Sequence, residues 1–229
     1  MQFYEKYLLD SPEVAAIFWQ EDGMPDYKKH IDKNNVIYKL NSNGLRCDEL
    51  IKNHQGKTHI LFNGCSITAG IGINMEDTWA YKVYSDFNNT SGFFNISLPG
   101  GSIIEIITNT IKYIELYGIP NYIFLLLPPI HRESRYIKKH FINNFVYNYY
   151  YILENYCKKN NISLFSTSWA DKKNYQMFEQ FKTFRAPDFK QIDYYGEELH
   201  GDDNHHPGKS IHAFWYNQFK GRYENSWNK

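Results

Sequence analysis

His59-Ile60-Leu61-Phe62-Asn63-Gly64-Cys65-Ser66 decides the reading of this chain. A short apolar run, His59 to Asn63, stops at a glycine and is followed at once by a hydroxyl-bearing residue. Such a run bounded by glycine predicts a buried strand. The same pattern recurs downstream. Phe93 to Ser97 (FFNIS), Tyr122 to Leu127 (YIFLLL) and Ser163 to Ser166 (SLFS) are further short strands. Helical patterns separate them. Glu76 to Phe87 carries Trp79, Tyr81, Val83 and Tyr84 as apolar positions. Ser102 to Tyr117 places Ile103, Ile106, Ile107, Ile111 and Ile114 near one face. Ser102 is its N-cap, Glu105 completes a capping box, and Gly118 with Pro120 ends it. Ile137 to Lys159 is a long helix, and Pro207 to Phe219 a last one with proline at its first position.

Strands that alternate with helices predict a parallel sheet covered on both faces, a doubly wound α/β domain. Residues 1–57 are mixed and polar and read as an N-terminal extension on a domain spanning 58–229. The extension has a weak helical signal at Glu13 to Gln20. Tyr38 to Arg46 reads as a strand entering a turn at Asn43-Gly44.

The bulk properties exclude several classes. The 229 residues carry 25 Lys plus Arg and 25 Asp plus Glu. A zero net charge gives no basic excess for binding a phosphate backbone, so no nucleic-acid partner is expected. The longest apolar run, Tyr122 to Ile130, falls far short of the roughly 18 residues a membrane span needs. Met1 to Lys6 lacks the pattern of a secretory leader, and three cysteines make no closed disulfide framework. A reducing, cytoplasmic setting is the default expectation. Abundant Asn, Lys, Ile and Tyr is a bias of AT-rich genomes, bacterial or viral.

Ligands of doubly wound sheets bind beyond the carboxyl ends of the strands. After the first strand comes Gly64-Cys65-Ser66-Ile67-Thr68. After the second comes Leu98-Pro99-Gly100-Gly101-Ser102, and after the third Pro128-Pro129-Ile130-His131-Arg132. Before the last helix lies His200-Gly201-Asp202-Asp203-Asn204-His205-His206-Pro207-Gly208. A serine, a glycine turn and an Asp-x-x-His pair would gather at one sheet edge. A serine hydroxyl attacks an ester only when a histidine takes its proton and a carboxylate orients that histidine. Asp203 and His206 have the spacing for this, though Asp202 and His205 compete on residue type alone. The backbone N–H groups of Ser66 and Gly100 are candidate oxyanion donors.

These blocks together resemble the SGNH, or GDSL-like, hydrolases over residues 59–220. Phe62-Asn63-Gly64-Cys65-Ser66 is similar to their first block, with Cys65 where Asp is usual. Gly100 matches the oxyanion glycine of the second block. Asp203-Asn204-His205-His206-Pro207 matches the Asp-x-x-His-Pro of the last. The resemblance implies a flavodoxin-like three-layer sandwich and a cofactor-free, metal-free esterase. It makes Ser66 the nucleophile, His206 the base and Asp203 its orienting carboxylate. Family habits suggest acetyl as the acyl group and a small-molecule or carbohydrate ester as substrate. One departure stands out. The family has an Asn after the third strand that completes the oxyanion hole, and here Pro128-Pro129 leads to His131 and Arg132. Arg132 is the first candidate to replace it, because a cation there would also hold an anionic or hydroxyl-rich substrate. His131 and Asn63 are others, and a hole with only two donors is the remaining alternative. The missing Asn also motivates a second reading, a non-catalytic binding protein on the same fold.

Other readings carry less. His200, Asp202, Asp203, His205, His206 and His212 form a metal-ligand type cluster, but its spacing matches no standard zinc motif. The glycines after the first strand lack the Gly-Lys-Ser/Thr ending of a phosphate loop. Cys65 reads as a small buried residue behind the serine. The Tyr147 to Tyr156 stripe reads as packing on the sheet, while Phe181, Phe184, Phe189, Tyr194 and Tyr195 are candidate cleft residues.

Overall fold

The computed structural model describes residues 36, 38–135, 137–170, 172–189 and 206–227. Four parallel strands form the sheet: β1 (Ile60–Gly64), β2 (Phe94–Asn95), β3 (Tyr122–Leu127) and β4 (Ser163–Ser168). Their order is β2-β1-β3-β4. The chain leaves β1 to one side to make β2, then returns to the other side for β3. That reversal is the topological switch point, so the carboxyl ends of β1 and β3 flank the crevice where such sheets bind ligands.

Among the described residues six helices accompany the strands: α1 (Ser66–Ala69), α2 (Trp79–Ser85), α3 (Ile103–Tyr117), α4 (Ile142–Lys159), and, after β4, α5 (Lys172–Tyr175) and α6 (Lys209–Trp227). Alternation along each strand sorts the core into two layers. Leu61, Ile123, Leu125 and Leu127 meet the Ile103, Ile106 and Ile107 stripe of α3 and Val146, Tyr150 and Leu153 of α4. Ile60, Phe62, Phe124 and Leu126 meet Trp79 and Val83 of α2 and Trp215, Phe219 and Tyr223 of α6. The result is the three-layer α/β sandwich with a parallel centre. On the second face Phe62, Phe124 and Phe165 occupy one register row. Their rings stack across three strands with centroids 5.3 and 5.1 Å apart.

Several boundaries differ from the sequence reading, each for a local reason. The helix expected over 76–87 is split: a 3-10 turn, Met75–Asp77, precedes α2, and Thr78 restarts it by accepting the Tyr81 N–H on Oγ1 at 3.2 Å. α4 begins at Ile142 rather than 137, because 3-10 turns at Ile130–Arg135 and Lys139–Phe141 take up the connection. β2 is an edge strand of two residues rather than the five expected. α6 starts at Lys209 and runs on to Trp227.

No strand forms over 38–46. Asn41 builds a turn there instead, its Oδ1 accepting the N–H of both Asn43 and Leu45 at 3.0 and 2.9 Å. Val36, Leu45 and Arg46 are buried. The helical signal at Glu13 to Gln20 lies outside the described residues. The aromatic stripe of α4 packs inward only in part: Tyr150 is fully buried, Tyr147, Tyr149 and Tyr156 are half-buried against the core, and Tyr151 is exposed. Phe181 and Phe184 are core residues beside Phe178 rather than cleft residues, and Phe189 packs on Phe214 and Trp215. Among the described residues no helix is long and apolar enough to cross a membrane.

Candidate active site

Ser66 is the first residue of α1, two positions beyond the end of β1. The bend between them is tight. A Cβ on Gly64 would lie 2.1 Å from Thr68 Oγ1, so only glycine fits. Cys65 is extended, and α1 closes after one turn on Gly70, whose φ of 78° is left-handed. Ser66 is 4% exposed, and no described residue hydrogen-bonds its hydroxyl.

Asn63 does not supply an oxyanion donor. Its Nδ2 gives both hydrogens to α3, at 2.9 Å to Ile106 O and 3.0 Å to Thr110 Oγ1, while its Oδ1 accepts the Gly64 N–H at 2.8 Å. The side chain fastens β1 to the helix behind it and has no hydrogen left for a ligand.

The second turn lies against the first. Asn95 Nδ2 donates to Thr68 O at 2.8 Å, and a Cβ on Gly101 would lie 3.8 Å from Gly64 O. Gly100 is buried with a φ of 73°, a left-handed conformation that suits glycine, and the Gly101 N–H closes the turn on Leu98 O. α3 then starts with the capping box expected of Ser102 and Glu105.

The third exit approaches the same place. Pro128 and Pro129 have no N–H to offer, and the chain turns into the 3-10 segment Ile130–Arg135. From it Arg132 donates through Nη1 to Gly101 O at 3.1 Å. Its guanidinium carbon lies 5.4 Å from the centroid of the Trp169 ring. Trp169, just after β4, donates its Nε1–H to Cys65 Sγ at 3.3 Å. Arg132 and Trp169 therefore link the glycine turn to the residue beside Ser66. The next residue, Glu133, turns inward to the N-terminus of α3 and is fully buried.

Of the His/Asp cluster only His206 and His212 are described. His206 is buried, at 7% exposure, ahead of α6. Asp203, Asp202, His205 and His200 lie outside the described residues, as do Tyr194 and Tyr195. His212 Nδ1 accepts the Trp79 N–H at 3.1 Å, which ties α6 to α2. Burial, then the charges of Lys82, Arg46 and His206, push its pKa down to about 3. It is a neutral structural imidazole close enough to His206 to feel its charge.

Arg46 reaches the site from the N-terminal side. Its Nη1 donates to Gly70 O, and more weakly to Ala69 O at 3.5 Å, so a cation caps the carboxyl end of α1. Its guanidinium lies 4.4 Å from the Tyr38 ring centroid, and Tyr38 OH accepts the Gly72 N–H at 2.7 Å. Sequence reasoning gave no role to Arg46, Glu133 or Trp169. Trp169 was legible by the strand-end rule, once β4 is extended to Ser168.

Solved structures share this fold. The psychrotrophic esterase EstA from a Pseudoalteromonas species, captured inhibited by monoethylphosphonate, superposes with a TM-score of 0.54 at 14% identity. The match covers 74% of this chain and 98% of that one. A lipolytic protein of the G-D-S-L family from Veillonella parvula gives 0.52 at 15% identity, over 72% of this chain and 97% of its own. The fold is that of the GDSL hydrolases. TesA gives 0.51 at 12% identity, over 71% and 96% of the two chains. No family model matches the chain, and no curated protein matches it in sequence. The GDSL likeness is thus one of fold.

Proposed function

We propose that the chain is a serine ester hydrolase. Ser66 Oγ attacks the acyl carbonyl while His206 takes its proton. His206 then protonates the departing alcohol, leaving an acyl group on Ser66. Water, activated by His206, releases the acid. Asp203 orients the imidazole and stabilises its cation. The N–H groups of Ser66 and Gly100 receive the oxyanion, with Arg132 in place of the family's Asn. The preferred acyl group is acetyl, and a carbohydrate ester is the favoured substrate.

One observation carries the reading. A serine whose hydroxyl has no hydrogen-bond partner among the described residues opens a helix at the carboxyl end of β1 in a GDSL fold.

The test is hydrolysis of 4-nitrophenyl acetate by the purified chain, with Ser66→Ala beside it. The expected loss in kcat/KM is roughly a thousandfold or more. A phosphonate ester should add its mass to the peptide containing Ser66, and only in the unmutated protein. The Pro128-Pro129 exit, which lacks backbone donors, favours one rival: a binding protein that keeps the fold. No turnover of any acyl ester and no phosphonate adduct would establish that rival instead.

A further inference from the structure

Arg132 is unusual among the charges at this edge. Its neighbour Glu133 does not neutralise it, because that carboxylate is turned to the Ile103 and Ile104 N–H groups at 2.6 and 3.1 Å. No other carboxylate among the described residues lies within ion-pair distance of the guanidinium. The side chain is nonetheless held in place, by Gly101 O on one nitrogen and by the Trp169 ring at 5.4 Å. It is half-buried, so its remaining N–H donors are neither packed away nor lost to free solvent. A fixed guanidinium with spare donors loses little entropy when it binds, and its planar fork matches a carboxylate.

We propose that Arg132, braced by Trp169 and Gly101, is an anion-recognition residue that selects ester substrates carrying a carboxylate near the scissile bond. The proposal rests on the esterase reading and narrows its substrate class. One guanidinium matches one negative charge, which a carboxylate supplies. Glu133 supports the assignment. Its carboxylate is spent on the N-terminus of α3, and burial pushes its pKa up. The cation beside it is therefore left available.

The carboxylate could sit on either half of the ester, and two substrate pairs separate these cases. On the alcohol side, 4-acetoxybenzoate is compared with its neutral methyl ester. On the acyl side, the 4-nitrophenyl half-ester of adipate is compared with 4-nitrophenyl hexanoate. In at least one pair the anionic member should have a kcat/KM about tenfold higher at low salt, the size of one charge-assisted hydrogen bond. In Arg132→Gln that ratio should fall to near unity, and in Arg132→Lys it should fall part of the way.

A second readout does not depend on turnover. In Ser66→Ala protein labelled with nitrogen-15, titrating adipate should shift the Trp169 indole N–H resonance saturably, with Trp169→Phe providing its assignment. Adding Arg132→Gln should abolish the shift. Equal kcat/KM within both pairs, or a preference that survives Arg132→Gln, overturns the proposal. If no ester of either charge is turned over, the esterase reading fails, and the indole titration alone decides the anion site. An unmoved indole resonance then ends that too.

Discussion

Glu133 Oε1 accepts the backbone N–H of Ile103 at 2.6 Å, so an acid from the third strand exit caps the helix that follows the second. Its other oxygen is buried without a hydrogen-bond partner. Burial raises its pKa from 4.5 to about 7, with a smaller push from Glu105. A raised carboxyl pKa means that folding takes up a proton between those values. The contribution of this group to stability is present at low pH and is lost as pH rises through the window from 4.5 to 7. Glu133→Gln keeps an acceptor for Ile103 and removes the titration. Its Tm should change less with pH across that window than wild type. Glu133→Ala strands two helix N–H groups and should cost about 1–3 kcal/mol in denaturant unfolding. A Gln variant with the wild-type pH slope would refute the assignment.

His59 and His212 act in the opposite sense. Burial pushes the pKa of each down to about 3, with His54, stacked on His59 at 3.5 Å, adding to the effect for that residue. A depressed histidine pKa gives stability that is present above 6.5 and drains away as pH falls toward 3. Both imidazoles should therefore stay neutral at pH 5, and their proton resonances should not move between pH 8 and pH 5, about where exposed histidines titrate. Titration of either near its ordinary pKa would contradict the packing described.

Gly64 and Gly221 should respond oppositely to alanine. At Gly64 the new Cβ meets Thr68 Oγ1 at 2.1 Å and Leu126 O at 3.0 Å, so Gly64→Ala should unfold the bend or yield insoluble protein. At Gly221, on α6, a Cβ meets nothing within 4 Å. Gly221→Ala should raise stability by about 1 kcal/mol, the helix propensity difference. Chemical denaturation of the two variants is the check.

Arg46 should matter to Ser66 without touching substrate. Its guanidinium holds the carboxyl end of the single turn that begins with the serine. Arg46→Ala should slow phosphonate labelling of Ser66 as well as lower Tm. A variant that loses Tm but labels at the wild-type rate would limit Arg46 to a role in stability.

The sheet was readable because parallel strands buried on both faces are continuous apolar runs, and YIFLLL coincides with β3 to the residue. Ser102 and Glu105 were readable because a capping box is local in sequence. Tertiary contacts decided what was not. Asn63 looks like a polar group at a strand end, but its partners, Ile106 and Thr110, are 43 and 47 residues away. The expected strand at 38–46 failed because the Asn41 side chain bonds two backbone N–H groups and curls the chain. Phe181 and Phe184 were misread because an irregular segment gives no period from which to infer a buried face. Arg132 was named from the missing Asn, while its brace, Trp169, belongs to a different strand exit.

The thiol beside Ser66 has a practical side. Cys65 is wholly buried, and the Trp169 indole covers its sulfur. Alkylating agents that cap accessible sulfhydryls will pass it by. Cysteine blocking can therefore come first in a chemical-proteomics workflow, ahead of the phosphonate labelling that tests Ser66.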